Sequence, residues 1–134
     1  MTFQWSKFLD LAKTLAATTN DDASLRSAVS RAYYCAFNLA LARAKRNSYR
    51  PPEDAGIHDQ LWGLYSRNDD QTCATLAALG QRMKRRRVKA DYHPSFDRLD
   101  DEVTLAIADA EQFVSLLSGL GQDLPRDVPR KYSF

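Results

Sequence analysis

The sequence predicts an all-α protein, an up-and-down bundle of four to five helices. Three observations carry this. Apolar residues recur at three- and four-residue steps in five separate segments, the period of amphipathic helices. The strict alternation of a half-buried strand is not seen. Proline, glycine, asparagine and aspartate collect between the periodic segments, where chains turn. A chain of 134 residues can bury one sizeable core. Its 44% hydrophobic and 27% charged residues are those of a soluble globular protein.

The first helix is expected from Thr2 to about Ala17, with Trp5, Phe8, Leu9, Ala12, Leu15 and Ala16 on one stripe. Thr18 to Asp22 reads as a stop followed by a new N-terminal cap. The second helix, Asp22 to Arg46, has an unbroken apolar series from Leu25 to Ala44. Cys35, Leu39 and Ala42 add a second apolar side, which marks it as the central helix. Arg50-Pro51-Pro52 breaks the chain into a loop. A short helix follows from Ile57 to Ser66, carrying Leu61, Trp62 and Tyr65. The fourth helix runs from Gln71 to Tyr92 and is stopped by Pro94. Ser95 to Asp101 connects it to a fifth helix ending near Leu117, with Val103, Ala106, Ile107, Ala110, Phe113, Val114 and Leu117 inward. The bundle is expected to occupy residues 1–121, followed by an extended tail over residues 122–134.

Charge is concentrated in one place. Between Arg82 and Lys89 stand six basic residues, followed by Asp91-Tyr92-His93-Pro94. At 100° per residue, Leu76, Gly80, Met83 and Arg87 share a sector of about 60°. Arg87 therefore continues the apolar face, while Lys84, Arg85 and Arg86 fan around the other sides. The net charge of +2 makes no case for nucleic acid by itself, so any such case rests on this cluster. Two cysteines and two histidines show no ligand-pair spacing, so neither a metal site nor a cofactor is expected. Cys35 and Cys73 are expected as buried free thiols. No signal peptide and no apolar run of membrane-spanning length are visible, and the expected location is the cytoplasm.

These residues carry a resemblance. Ser30-Arg31-Ala32-Tyr33-Tyr34-Cys35-Ala36-Phe37-Asn38-Leu39-Ala40 resembles the Ser-Arg-x-Tyr-Tyr-x-x-Phe-x-x-Ala signature on the second helix of HEPN domains, small helical domains named for higher eukaryotes and prokaryotes and nucleotide binding. Gly56-Ile57-His58 resembles the start of their third helix, and Arg87 to Tyr92 their Arg-x-x-Ala-Asp-Tyr segment. Arg87 and His93 fit the family's Arg-(x4 to x6)-His motif. The resemblance spans about Phe3 to Leu117. It implies a HEPN-like bundle that dimerises, and a toxin that cleaves RNA without a metal through Arg87 and His93, often with groups from both subunits. It also implies a minimal nucleotidyltransferase as antitoxin, which in some pairs adenylates a tyrosine beside the motif. Two positions differ from the pattern. Val88 stands where the family often has Asn, Asp or His. Ser95 stands where the modified tyrosine would be, and Tyr92 precedes the histidine instead.

Metal-free RNA cleavage needs a base for the 2′-hydroxyl, cationic donors for the phosphorane-like transition state, and an acid for the leaving oxygen. Histidine exchanges protons near neutrality, which suits His93 to the first or last task. Arg87 offers a guanidinium fork matched to phosphate oxygens. Residues six apart on a helix are rotated by about 240° and separated by about 9 Å of rise. Arg87 and His93 therefore meet on one phosphate only if the helix unwinds or if two chains share the site. Arg82, Lys84, Arg85, Arg86 and Lys89 form the candidate RNA-backbone ramp. Asp91 is a ready i+4 partner for Arg87, and Tyr92 a site-supporting or modifiable residue. His58 reads as a helix-start residue. The alternative reading, which Val88 favours, is a catalytically silent HEPN domain that binds a nucleotidyltransferase partner, nucleotide or RNA.

Overall fold

A computed structural model describes residues 2–18 and 20–126. Its five helices are α1 (Ser6–Thr18), α2 (Asp22–Arg46), α3 (Ile57–Ser66), α4 (Gln71–Tyr92) and α5 (Leu99–Ser118). No strand occurs among the described residues. The all-α bundle is the predicted class. No helix is long and apolar enough to cross a membrane. Residues 127–134 of the expected tail lie outside the described residues. Within the described part, Leu124 packs against the core and Pro125 is buried.

α2 is the centre of the bundle and packs on α1, α4 and α5, with a lighter contact to α3. Its alanines make this possible: Ala28, Ala32, Ala36, Ala40 and Ala44 are all fully buried. Short side chains let helix axes approach on several sides at once. Asp21 caps it, its carboxylate accepting from Ser24 N at 3.1 Å. At its far end the buried Arg43 donates to the carbonyls of Leu117, Leu120 and Gly121, which ties the end of α5 to α2. α4 is capped by Asp70, which accepts from Thr72 N at 2.8 Å.

Two element boundaries differ from the sequence reading. α1 begins at Ser6 rather than Thr2, because Phe3 packs edge-on to Trp5 and tilted against Phe8 instead of extending the helix. α5 begins already at Leu99, inside the expected Ser95–Asp101 connection, directly after Arg98 takes the left-handed conformation at φ 57°. Asp100, Asp101 and Glu102 then sit in its first turn, where carboxylates meet the positive end of the helix dipole.

Cys35 and Cys73 are buried and free, and burial pushes both thiols up to about 11. They are packing groups rather than nucleophiles.

Gly80 sits where α4 crosses the fully buried Trp62 of α3. A Cβ added there would come within 2.6 Å of three indole ring carbons. The ring is enclosed and cannot retreat. Gly80→Ala is expected to lower stability by about 1–3 kcal/mol despite alanine's better helix propensity. A denaturant titration checks this, and an unchanged or raised midpoint would contradict the close approach.

Candidate functional site

α4 brings its basic run against two other helices, and they divide it. Arg82 holds Asp109 of α5 through two hydrogen bonds, at 3.0 and 2.8 Å. Arg86 spans Glu102 at 2.8 Å and Asp109 at 3.1 Å. Lys84 reaches Asp59 of α3 at 2.6 Å. Arg85 and Lys89 are exposed and make no ion pair among the described residues. Three of the five residues of the expected RNA-backbone ramp are thus occupied in holding α3 and α5 to α4, and Arg85 and Lys89 remain available to a ligand.

Arg87 behaves differently from all of these. It is 7% exposed, yet none of its guanidinium nitrogens takes part in a hydrogen bond among the described residues. Its Nε is sealed from solvent without a partner. Its one ion pair, to Asp91, is 3.7 Å long, beyond a charge-assisted hydrogen bond. The guanidinium lies instead over aromatic faces, 5.5 Å from the Tyr33 and Tyr34 ring centres and 5.9 Å from that of Tyr92. Asp91 also accepts from the buried Ser30 hydroxyl at 3.3 Å. Tyr92 itself is 72% exposed.

His93 does not join this group within the chain. α4 stays helical through Tyr92, and His93 turns extended at φ −92°, ψ 127° as the cap. Its side chain is exposed and has no hydrogen bond or ion pair to Arg87. Arg26 of α2 fixes this end, donating to the carbonyls of Ala90, His93 and Pro94.

The histidine that does join is His58, at the start of α3. Its Nδ1 lies 2.7 Å from Tyr33 Oη, and its ring stacks on Phe37 at 4.2 Å. Trp62 Nε1–H donates to the same tyrosine oxygen at 3.1 Å. Burial first, then the cations of Arg87 and Lys84, hold His58 below the ordinary histidine range, with Asp59 opposing them. The sequence contained a signal for this. His58, Leu61, Trp62 and Tyr65 follow the i, i+3, i+4, i+7 spacing, so His58 interrupts the apolar stripe of α3 as Arg87 interrupts that of α4.

The three segments that carry the family resemblance therefore meet. Ser30, Tyr33 and Tyr34 of α2, His58 of α3, and Arg87, Asp91 and Tyr92 of α4 form one cluster. No group of three His, Cys, Asp or Glu side chains able to hold a metal ion occurs among the described residues. Compared with family models, characterised proteins and solved structures, the chain matches none.

Two predictions follow from the geometry. A buried charge without hydrogen bonds is a cost to folding, whereas a bonded one leaves its partners stranded when removed. Arg87→Met is expected to keep the unfolding free energy, measured by denaturant titration, within about 1 kcal/mol of the parent or to raise it, while Arg86→Met loses roughly 2–4 kcal/mol. Equal losses would make Arg87 a structural arginine like its neighbour. The second concerns pH. A depressed folded-state pKa means that the unfolded chain takes up the proton first as pH falls. The contribution of His58 is thus fully present above about pH 6.5 and is lost as pH falls from there through its lower folded-state value. Burial sets it first, Arg87 and Lys84 of α4 add to it and Asp59 of α3 opposes it, while Tyr33 and Tyr34 of α2 face the ring. Chemical denaturation between pH 5 and 8 (chosen to bracket that value) should show this loss, and His58→Gln should flatten it.

Proposed function

We propose that the chain is a HEPN-type toxin, a metal-independent endoribonuclease whose site is completed in a homodimer. The observation that carries this is Arg87: a buried guanidinium, held by tyrosine faces, with its donors unspent. Folding gains little from such a group, and an anionic ligand would use it fully. A phosphodiester presents the oxygens that an arginine fork matches. The convergence of the three resembling segments on this one residue supports the same reading.

In this proposal Arg87 stabilises the charge that develops on the phosphorane oxygens, and His93 moves the proton to or from the ribose oxygens. The product is a 2′,3′-cyclic phosphate. The helical rotation between Arg87 and His93 is resolved by taking the two from different protomers. Arg85 and Lys89 carry the backbone contacts. A minimal nucleotidyltransferase serves as antitoxin, with Tyr92, exposed beside Arg87, as the residue within its reach. The complex works in the cytoplasm.

A second reading has its own observation. Arg82, Lys84 and Arg86 are already paired, and Val88, partly buried, supplies no polar group next to Arg87. That is the pattern of a catalytically silent HEPN domain that binds a nucleotidyltransferase or a nucleotide.

Purified protein on end-labelled RNA separates them. Cleavage is expected, falling at least about 100-fold in Arg87→Met and in His93→Ala. Mixing the two variants should restore part of it, because one mixed site per dimer keeps both groups. Variants that cleave as well as the parent would remove the catalytic assignment. Intact RNA, together with co-purification of an adjacently encoded nucleotidyltransferase, would select the silent reading.

A further inference from the structure

The Tyr33 hydroxyl joins two groups of different kinds. It has one proton and two lone pairs. Trp62 Nε1 can only donate, and its hydrogen bond takes one lone pair. The tyrosine proton then needs an acceptor, and the one within reach among the described residues is His58 Nδ1, at 2.7 Å. Burial holds Tyr33 well above the usual phenol range, so the hydroxyl keeps that proton. The chain of donors therefore runs from Trp62 to Tyr33 to His58 Nδ1, and it leaves the imidazole proton on Nε2. Were Nδ1 protonated instead, Tyr33 would accept twice and its own proton would be stranded in the core.

Nε2 has no hydrogen-bond partner among the described residues, and it is not one of the polar atoms sealed from solvent. Its neighbour across the Tyr33 and Tyr34 rings is Arg87, where only Nε is so sealed. An imidazole N–H and a guanidinium thus flank the same aromatic pair, both as donors without acceptors. We infer that His58 is a second phosphate-binding residue of the site, held by the Trp62–Tyr33 relay as a neutral donor that works beside Arg87 on a phosphodiester oxygen. In this arrangement it binds and positions the diester and does not transfer the proton. The inference rests on the RNA reading for the identity of its ligand. The tautomer and the open donor pair stand on the geometry alone.

Nitrogen-15 spectra of the full chain test the first half. They should show His58 with an unprotonated Nδ1 and a protonated Nε2 at neutral pH, and a mixture of tautomers in Tyr33→Phe. An Nδ1-protonated ring in the parent would overturn the inference. The second half uses a 2′-O-methylated diuridine, which carries the diester and cannot be cleaved through its 2′ oxygen. It should shift the His58 resonances, and its affinity should fall about tenfold in His58→Phe, which keeps the stack on Phe37. His58→Gln, which keeps a neutral N–H donor, should recover most of the affinity and of the RNA cleavage. Unmoved His58 signals, or a glutamine variant as impaired as the phenylalanine one, would sink the proposal. Bound dinucleotide with no cleavage of RNA by the parent would remove only the nuclease reading. Cleavage unaffected by His58→Phe would remove only the role of His58.

Discussion

Trp62 is packed face-on against Gly80 of α4, edge-on to Phe113 of α5, and bonded through Nε1 to Tyr33 of α2. One ring of the shortest helix thereby sets the position of three longer ones. The contact with Gly80 is as close as a helix surface permits, which sets the distance between α3 and α4. The hydrogen bond to Tyr33 sets the rotation of α3 against α2. His58 stands one turn before Trp62 on the same face, so it has no independent position. Fixing the indole places the imidazole beside Tyr33, and through Tyr33 beside Arg87. The site is a consequence of how the core is packed.

The basic run shows how one helix divides its charge by angle. Arg82 and Arg86 are one turn apart and face the carboxylates of α5, where Asp109 is buried and needs cations. Lys84 faces α3. Arg85 and Lys89, also one turn apart, face away from the bundle. Only Arg87 points at aromatic rings, which attract a cation through their faces but offer no hydrogen-bond acceptor along its edge. Arg82 and Arg86 are consumed in stability, and Arg87 is held in place without being satisfied. A run of six similar residues thus contains three kinds of environment, and the difference between them is rotation about the helix axis.

Much of this was legible in the sequence. The bounds of α2, α3 and α4 follow from period and caps, because each has a clear apolar stripe between strong breakers. Arg87 could be placed on the packing face by counting residues. The starts of α1 and α5 were not legible, since Phe3 and Arg98 are governed by tertiary contacts and a left-handed turn that periodicity does not see. Asp109 was passed over for a similar reason. It lies about 40° outside the arc that Ala106, Ala110 and Phe113 span, so the projection puts it only on the flank of the apolar face. Its partners are on another helix, however, and no spacing within α5 reveals them. His58 is the same case. A polar residue on an apolar stripe announces that something must answer it, and the sequence does not say what.

Arg87 and His58 make the stronger argument jointly. Each is a polar group placed on the inward stripe of its helix, against the usual economy of a core. Two such interruptions on different helices could have satisfied each other, as Arg86 and Asp109 do, had one been an acid. Instead both are donors, and the relay from Trp62 keeps His58 from becoming an acceptor on its outer nitrogen. Asp91 stands near enough to moderate the charge of Arg87 and too far to hold it. A packing solution selected for stability alone would replace both by apolar residues. What the packing leaves is a pair of polar groups on an aromatic floor, and the proposed phosphate site rests on that pair.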